Sequence, residues 1–159
     1  MSNIDYDGII SDVENRLGQR MPSNLKNGYN GPMIRIYPWQ DLPSPWKGIH
    51  VEATPEKLKG MGFSVHLDFI EHYYERSVSP EQRSKRQRII HELEADCERA
   101  LLIIGRKFRI NPRKKQHFLV EQEDVVLYNE WGRDAKIAEL LARYITAFNP
   151  AIHISANAG

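Results

Sequence analysis

His50-x-Glu52 and His66-x-Asp68 are the residues whose types and spacing could do chemistry in this chain. Each pair lies in a stretch that alternates apolar and polar residues, where positions two apart share a face of a strand. If the two stretches pair in register, two imidazoles and two carboxylates converge, and His72 continues the same parity. Such a donor set suits a divalent metal, Zn²⁺, Mn²⁺ or Fe²⁺, and would equally serve proton transfer. The same residues are also what the water-facing side of a half-buried sheet is made of. A metal centre further needs supporting groups around its ligands, which spacing alone does not supply.

The sharper signatures of nucleotide, hydrolase and zinc chemistry are absent from the sequence. There is no Gly-x-x-x-x-Gly-Lys-Ser/Thr, Gly-x-Gly-x-x-Gly, Gly-x-Ser-x-Gly, His-Glu-x-x-His or Cys-x-x-Cys. A restriction-type nuclease core wants an Asp on one strand and Asp/Glu-x-Lys on the next, to hold Mg²⁺ and assist the attacking water. The sequence holds no Glu-x-Lys, and its Asp-x-Lys, Asp134-Ala-Lys136, falls in an expected helix. No catalytic residue is therefore assigned, and no cofactor beyond the divalent metal that the His/carboxylate set would take.

A second group of residues carries charge. The 22 Lys and Arg nearly cancel the 21 Asp and Glu, for a net +1, yet the layout is uneven. Residues 1–75 hold seven basic and ten acidic residues, 76–115 hold twelve and five, and 116–159 hold three and six, so the segments carry −3, +7 and −3. A localised positive field steers polyanions, so the expected partner is nucleic acid or an acidic protein surface. Arg83, Lys85, Arg86 and Arg88 lie near the start of an expected long helix, where the helix dipole disfavours cations. Arg106, Lys107, Arg109, Arg113, Lys114 and Lys115 put six positive charges in ten residues beside Phe108 and Phe118, a pattern suited to phosphate contacts with stacking. A solvated turn and helix face would carry the same charges, with Glu92, Glu94 and Glu98 near the first cluster. At 1.5 Å per residue the helix over 80–104 is roughly 37 Å long and separates the two clusters. Trp39 and Trp46, in the Pro-rich segment, are candidate partner-binding residues as well as candidate core caps. Cys97 continues an apolar helical stripe and reads as core.

The elements that must position these residues follow from periodicity. Ile9, Ile10, Val13 and Leu17 predict a helix over about 5–17 with Gly18 as its stop. Residues 18–32, rich in Gly, Pro and Asn, and residues 38–47, with three prolines, predict loops, with a short strand at 33–37 between them. Lys47–Ala53 and Gly62–Ile70 predict strands joined by a long turn over 54–61. Ser79-Pro80-Glu81-Gln82 has the form of a helix start, and Ile89, Ile90, Leu93, Cys97, Leu101 and Ile104 continue it to Gly105. Strands are expected at 106–110, 117–120 and about 125–128. A last helix opens at Asp134 and stops at Asn149-Pro150, which leaves 151–159 as a flexible tail. The order α-β-β-β-α-β-β-α predicts one α+β domain over 1–159, a mostly antiparallel sheet with helices packed on one face.

Length and composition bound the class. The chain's 159 residues are 41% hydrophobic, enough for one core, and no apolar run reaches the 18 residues of a membrane span. No secretory signal is visible, and a single Cys fits a reducing cytoplasm.

Taken together, Trp46-Lys-Gly-Ile-His50, the strand 63–70, the helix bearing Ile89-Ile-His-Glu-Leu-Glu-Ala-Asp-Cys-Glu-Arg99 and the closing Phe148-Asn-Pro150 resemble a known pattern. Over residues 46–150 the chain resembles an uncharacterised bacterial domain family often found at the C-terminal end of restriction-nuclease-like proteins. That resemblance implies a nucleic-acid-associated or defence-related α+β module of bacterial or phage origin, without established catalytic residues. The leading expectation is thus a non-catalytic nucleic-acid-binding accessory domain. The alternatives are a small metal-dependent enzyme on His50, Glu52, His66 and Asp68, and a protein-interaction adaptor or inhibitor using Trp39 and Trp46.

Overall fold

A computed structural model describes residues 3–21, 23–28, 30–36, 46–57, 59–69, 79–81, 84, 88, 99–100, 116–120 and 124–157. The first helix, α1 (Tyr6–Leu17), begins where the Asp5 carboxylate accepts the Gly8 amide at 3.0 Å and ends at Gly18. Gly18 takes the left-handed conformation, φ 69°, and its amide closes on the Glu14 carbonyl, an end that glycine makes without steric strain. Strands β1 (Ser23–Gly28) and β2 (Gly31–Ile36) then form a hairpin, followed by β3 (Trp46–Pro55), β4 (Gly60–Phe69), β5 (Gln116–Val120) and β6 (Val125–Leu127). The last element is α2 (Arg133–Asn157).

All described strand pairs are antiparallel. The sheet order is β1-β2-β3-β4-β5, with β6 also pairing with β4, so β5 and β6 share one edge of that strand. The fold is α+β, as the periodicity predicts. One face of the sheet presents Ile34, Ile36, Val51, Ala53, Phe63 and Val65, all fully buried. Against it lies α2, whose Ile137, Leu141, Tyr144, Ile145 and Phe148 recur at helical spacing and are buried. The Phe63 and Tyr144 rings stack with centroids 6.2 Å apart, and the Tyr144 hydroxyl donates to the Asp124 carboxylate, which ties α2 to the entrance of β6. Ile9 and Val13 of α1 complete the layer.

Several boundaries differ from the sequence expectations. The loop expected over 18–32 contains β1 and the start of β2, so four strands, not three, precede the middle of the chain. Ser-Asn-Leu-Lys-Asn-Gly has no apolar alternation to announce a strand. It is an edge strand whose pairing is set by β2, from Ser23 opposite Ile36 to Gly28 opposite Gly31. The Gly, Asn and Gly that suggested a loop belong to that hairpin's tight turn. The turn expected over 54–61 shrinks to 56–59, closed by the Glu56 amide on the Gly60 carbonyl at 2.8 Å. The loop expected over 38–47 gives way to β3 from Trp46 onward. The last helix runs through Pro150 to Asn157, so 151–157 are helical, not a flexible tail. Proline removes one helical N–H bond but its own φ is helical, so it bends or weakens a helix without ending it in every context. Of the expected long helix, residues 80, 81, 84, 88, 99 and 100 are helical. Its remainder and the strand expected at 106–110 lie outside the described residues.

At Gly60 the backbone of β6 lies hard against β4: a Cβ there would lie 2.0 Å from the Val126 carbonyl oxygen. Gly60→Ala is expected to cost about 1–3 kcal/mol, as overpacking against backbone does, and to speed amide exchange in β6. Urea unfolding and hydrogen exchange check this, and wild-type values in both would mean that β6 does not pair here.

Candidate functional site

The strand pairing decides what becomes of the His/carboxylate set. Across β3 and β4, His50 is opposite His66, Glu52 opposite Ser64 and Gly48 opposite Asp68. The register thus brings His50, Glu52, His66 and Asp68 to one face, as the alternation requires. The side chains of His66 and Asp68 lie outside the described ones, as does His72 altogether.

The described members of this face are not water-facing. His50 is 0% exposed, Glu52 3% and Ser64 1%. This corrects the expectation of a wet polar face, and the compensating partner is a residue the sequence reading did not single out. Arg35, on β2, is the register partner of Glu52, and its Nε forms an ion pair with Glu52 Oε1. His50 Nε2 lies 2.9 Å from the same oxygen. A carboxylate held by a guanidinium only accepts, so His50 Nε2 is the donor of that bond. Buried charges persist when paired in this way. The signal for Arg35 was available: in Ile34-Arg35-Ile36 the arginine takes the parity opposite to two buried isoleucines.

Chemically, this arrangement is a buried polar network centred on one carboxylate oxygen. One Glu52 oxygen already serves a guanidinium and an imidazole, and a metal would have to displace Arg35 to use it. Among the described residues no group of three or more His, Cys, Asp or Glu is placed to hold a metal ion.

The basic set is described at one position. Arg88 is exposed and helical, and with Pro80, Glu81 and Ser84 it lines a shallow hollow of about 500 Å³. Arg83, Lys85, Arg86, Arg106, Lys107, Arg109 and 113–115 lie outside the described residues. So does Trp39, while Trp46 opens β3 with its side chain outside the described ones.

The structure adds a site that sequence reasoning missed. A cleft of about 640 Å³ lies where the N-terminal segment, the β1–β2 turn, the end of β3 and the turn before α2 meet. Tyr6, Tyr128, Asn30, Asn129, Pro32 and Pro55 line it, with Ile4 and Arg133. Arg133 is buried and braces the cleft from below: it donates to the Tyr128 carbonyl at 3.1 Å, the Asn3 carbonyl at 3.2 Å and the Asp134 carboxylate at 2.8 Å. Burial raises the Tyr6 hydroxyl pKa, and Tyr128 and Asp134 add to the rise while Arg133 opposes it. Burial likewise raises that of Tyr128, with Glu56 adding and Arg133 opposing. Both hydroxyls therefore stay protonated at neutral pH. In the same turn Trp131 is 92% exposed. Its run, Tyr128-Asn-Glu-Trp-Gly132, was legible as an aromatic turn, but nothing in the spacing connected it with Tyr6.

Two outcomes are expected. Glu52→Ala leaves the partly buried Arg35 without this carboxylate and should cost about 3 kcal/mol, whereas Arg35→Met with Glu52→Leu should cost much less than the sum of the single changes. Denaturant unfolding of the three variants decides it, and additive costs would contradict the pairing. Separately, the hydrogen-bonded Lys136 ammonium holds the exposed Glu130 carboxyl below the usual carboxylate range. A depressed carboxyl contributes stability above its unfolded pKa that is lost as pH falls through its folded one. Lys136→Met should raise the Glu130 titration midpoint seen by NMR and weaken that part of the acid resistance; an unmoved midpoint would contradict it.

Compared with protein-family models, curated proteins and solved structures, the chain shows no match.

Proposed function

We propose that this chain is a non-catalytic domain that binds nucleic acid, or failing that an acidic protein surface, through the basic segment 83–115, as an accessory module of the defence-associated kind that its sequence pattern resembles. The observation that carries the reading is the charge layout: twelve basic against five acidic residues over 76–115, between two segments that each carry −3. The exposed Arg88 supports it, being a cation that a helical residue presents to solvent. The engagement of Glu52 by Arg35 and His50 supports it indirectly, since that carboxylate is committed to holding strands together. No described helix is long and apolar enough to cross a membrane.

Each phosphate contact contributes about 0.9 to the slope of log affinity against log salt on duplex DNA. Replacing Arg113, Lys114 and Lys115 together by Ala should lower that slope by about 2 to 3, measured by anisotropy on a labelled duplex between 50 and 200 mM salt. An unchanged slope, or no binding at low salt, would overturn the nucleic-acid reading.

A second reading keeps the metal-dependent enzyme on His50, Glu52, His66 and Asp68, and what favours it is the register that sets His50 opposite His66. Elemental analysis of the purified protein and of His66→Ala should then show a stoichiometric divalent metal lost on mutation. A metal-free wild-type protein that gains none on dialysis against Zn²⁺ or Mn²⁺ would dismiss it.

A further inference from the structure

We infer that the cleft between Tyr6 and Tyr128 is a docking groove for a proline-rich peptide segment in the polyproline II conformation, flanked by at least one Lys or Arg. This site is independent of the basic segment and lies in the two acidic thirds of the chain.

Four observations carry it. The volume, about 640 Å³, is within the range of ligand sites, and the cleft is neither an enclosed cavity nor a flat surface. The walls are aromatic rings and proline rings, Tyr6, Tyr128, Pro32 and Pro55, which is the surface on which the stiff, pre-extended polyproline helix docks at low entropic expense. Such a ligand makes no internal hydrogen bonds, so its carbonyls need donors. The Tyr128 hydroxyl and the Asn129 side chain line the cleft and are engaged by no other described residue, and burial keeps the tyrosine protonated as a donor. Finally, Trp131 projects 92% of its surface to solvent in the same turn, between the lining residues Asn129 and Arg133. Tryptophan is among the residues enriched at binding hot spots, and this indole has its surface free for a partner to cover.

Charge decides the flank. The Arg133 guanidinium is spent on Asn3, Tyr128 and Asp134, so it offers an anionic ligand little. Arg133 acts on both tyrosine hydroxyls more strongly than either acid does, but it is paired with Asp134 at 2.8 Å, which leaves Glu56 as the other charge bearing on Tyr128, while the segments that build the cleft, within 1–75 and 116–159, each carry −3. A basic flank complements that field, and an acidic one is repelled by it.

The test is a membrane array of ten-residue peptides, each with a Pro-x-x-Pro core and one terminal Arg or Lys, beside the same peptides with prolines changed to Ala or the basic residue to Glu, probed with the full chain. Proline-dependent spots that the Glu versions lose are expected. The strongest peptide is then titrated calorimetrically. Trp131→Ala and Tyr128→Ala should each weaken it at least tenfold, Trp131→Ala with an unchanged melting curve, since that side chain is solvent-exposed. Replacement of Arg113, Lys114 and Lys115 should leave it unchanged, which separates this site from nucleic-acid binding. An array without proline-dependent spots, binding indifferent to both aromatic variants, equal binding of acidic peptides, or a wild-type dimer dissolved by Trp131→Ala in place of peptide binding would each overturn the inference.

Discussion

Val51 faces Val65 and Ala53 faces Phe63 across β3 and β4, and the rest of the structure depends on that register. Side chains alternate with period two, so a slip of one residue would exchange the faces and send His50 and Glu52 into the layer beneath α2. The apolar face supplies the greater part of the driving force, because Phe63, Val65 and their neighbours on β2 and α2 are withdrawn from water together. The polar face adds little net energy. It acts against alternatives: any other pairing leaves Arg35, Glu52 and His50 without the partners they have now. That is the sense in which a buried ion pair specifies a fold more than it stabilises one, a role proposed here for this sheet.

From the same register follows a division of labour along the chain. The described part of the His/carboxylate set on the polar face, His50 and Glu52, is engaged with Arg35 between β2 and β3. The aromatic cleft lies apart from that face, where the end of β3 meets the turn before α2. The cleft is made by chain ends that the fold brings together. Asn3 and Asp134 are 131 positions apart in sequence, yet the first accepts from Arg133 while the second accepts from the Asp5 amide at 3.2 Å. Tyr6 and Tyr128 line one cleft because these contacts clamp the start of α1 to the start of α2.

Much of this was legible in the residues. Alternation placed β3 and β4, and helical spacing with Gly18 as its stop placed α1, because each of those segments has one buried face. The edge strand β1 was not legible, since its polar residues bury little and its pairing is imposed by Ile34 and Ile36 next door. The passage of α2 through Pro150 was not legible either, because a local helix breaker can be outweighed by packing earlier in the same helix. For the site, sequence spacing foresaw that His50 and His66 would share a face, but not that the face would be buried. That depends on Arg35, a residue on a third strand, and strand neighbours do not show in one-dimensional spacing. The cleft was invisible for the same reason, being assembled from four separated segments.

The most direct test of the account is a map of backbone amide shifts as an unlabelled DNA duplex is titrated into isotopically labelled protein at low salt. The account predicts shifts concentrated between residues 83 and 115 that fade as salt rises, with His50, Glu52, Tyr6 and Tyr128 unmoved. Shifts centred on His50 and Glu52, or none anywhere, would contradict it.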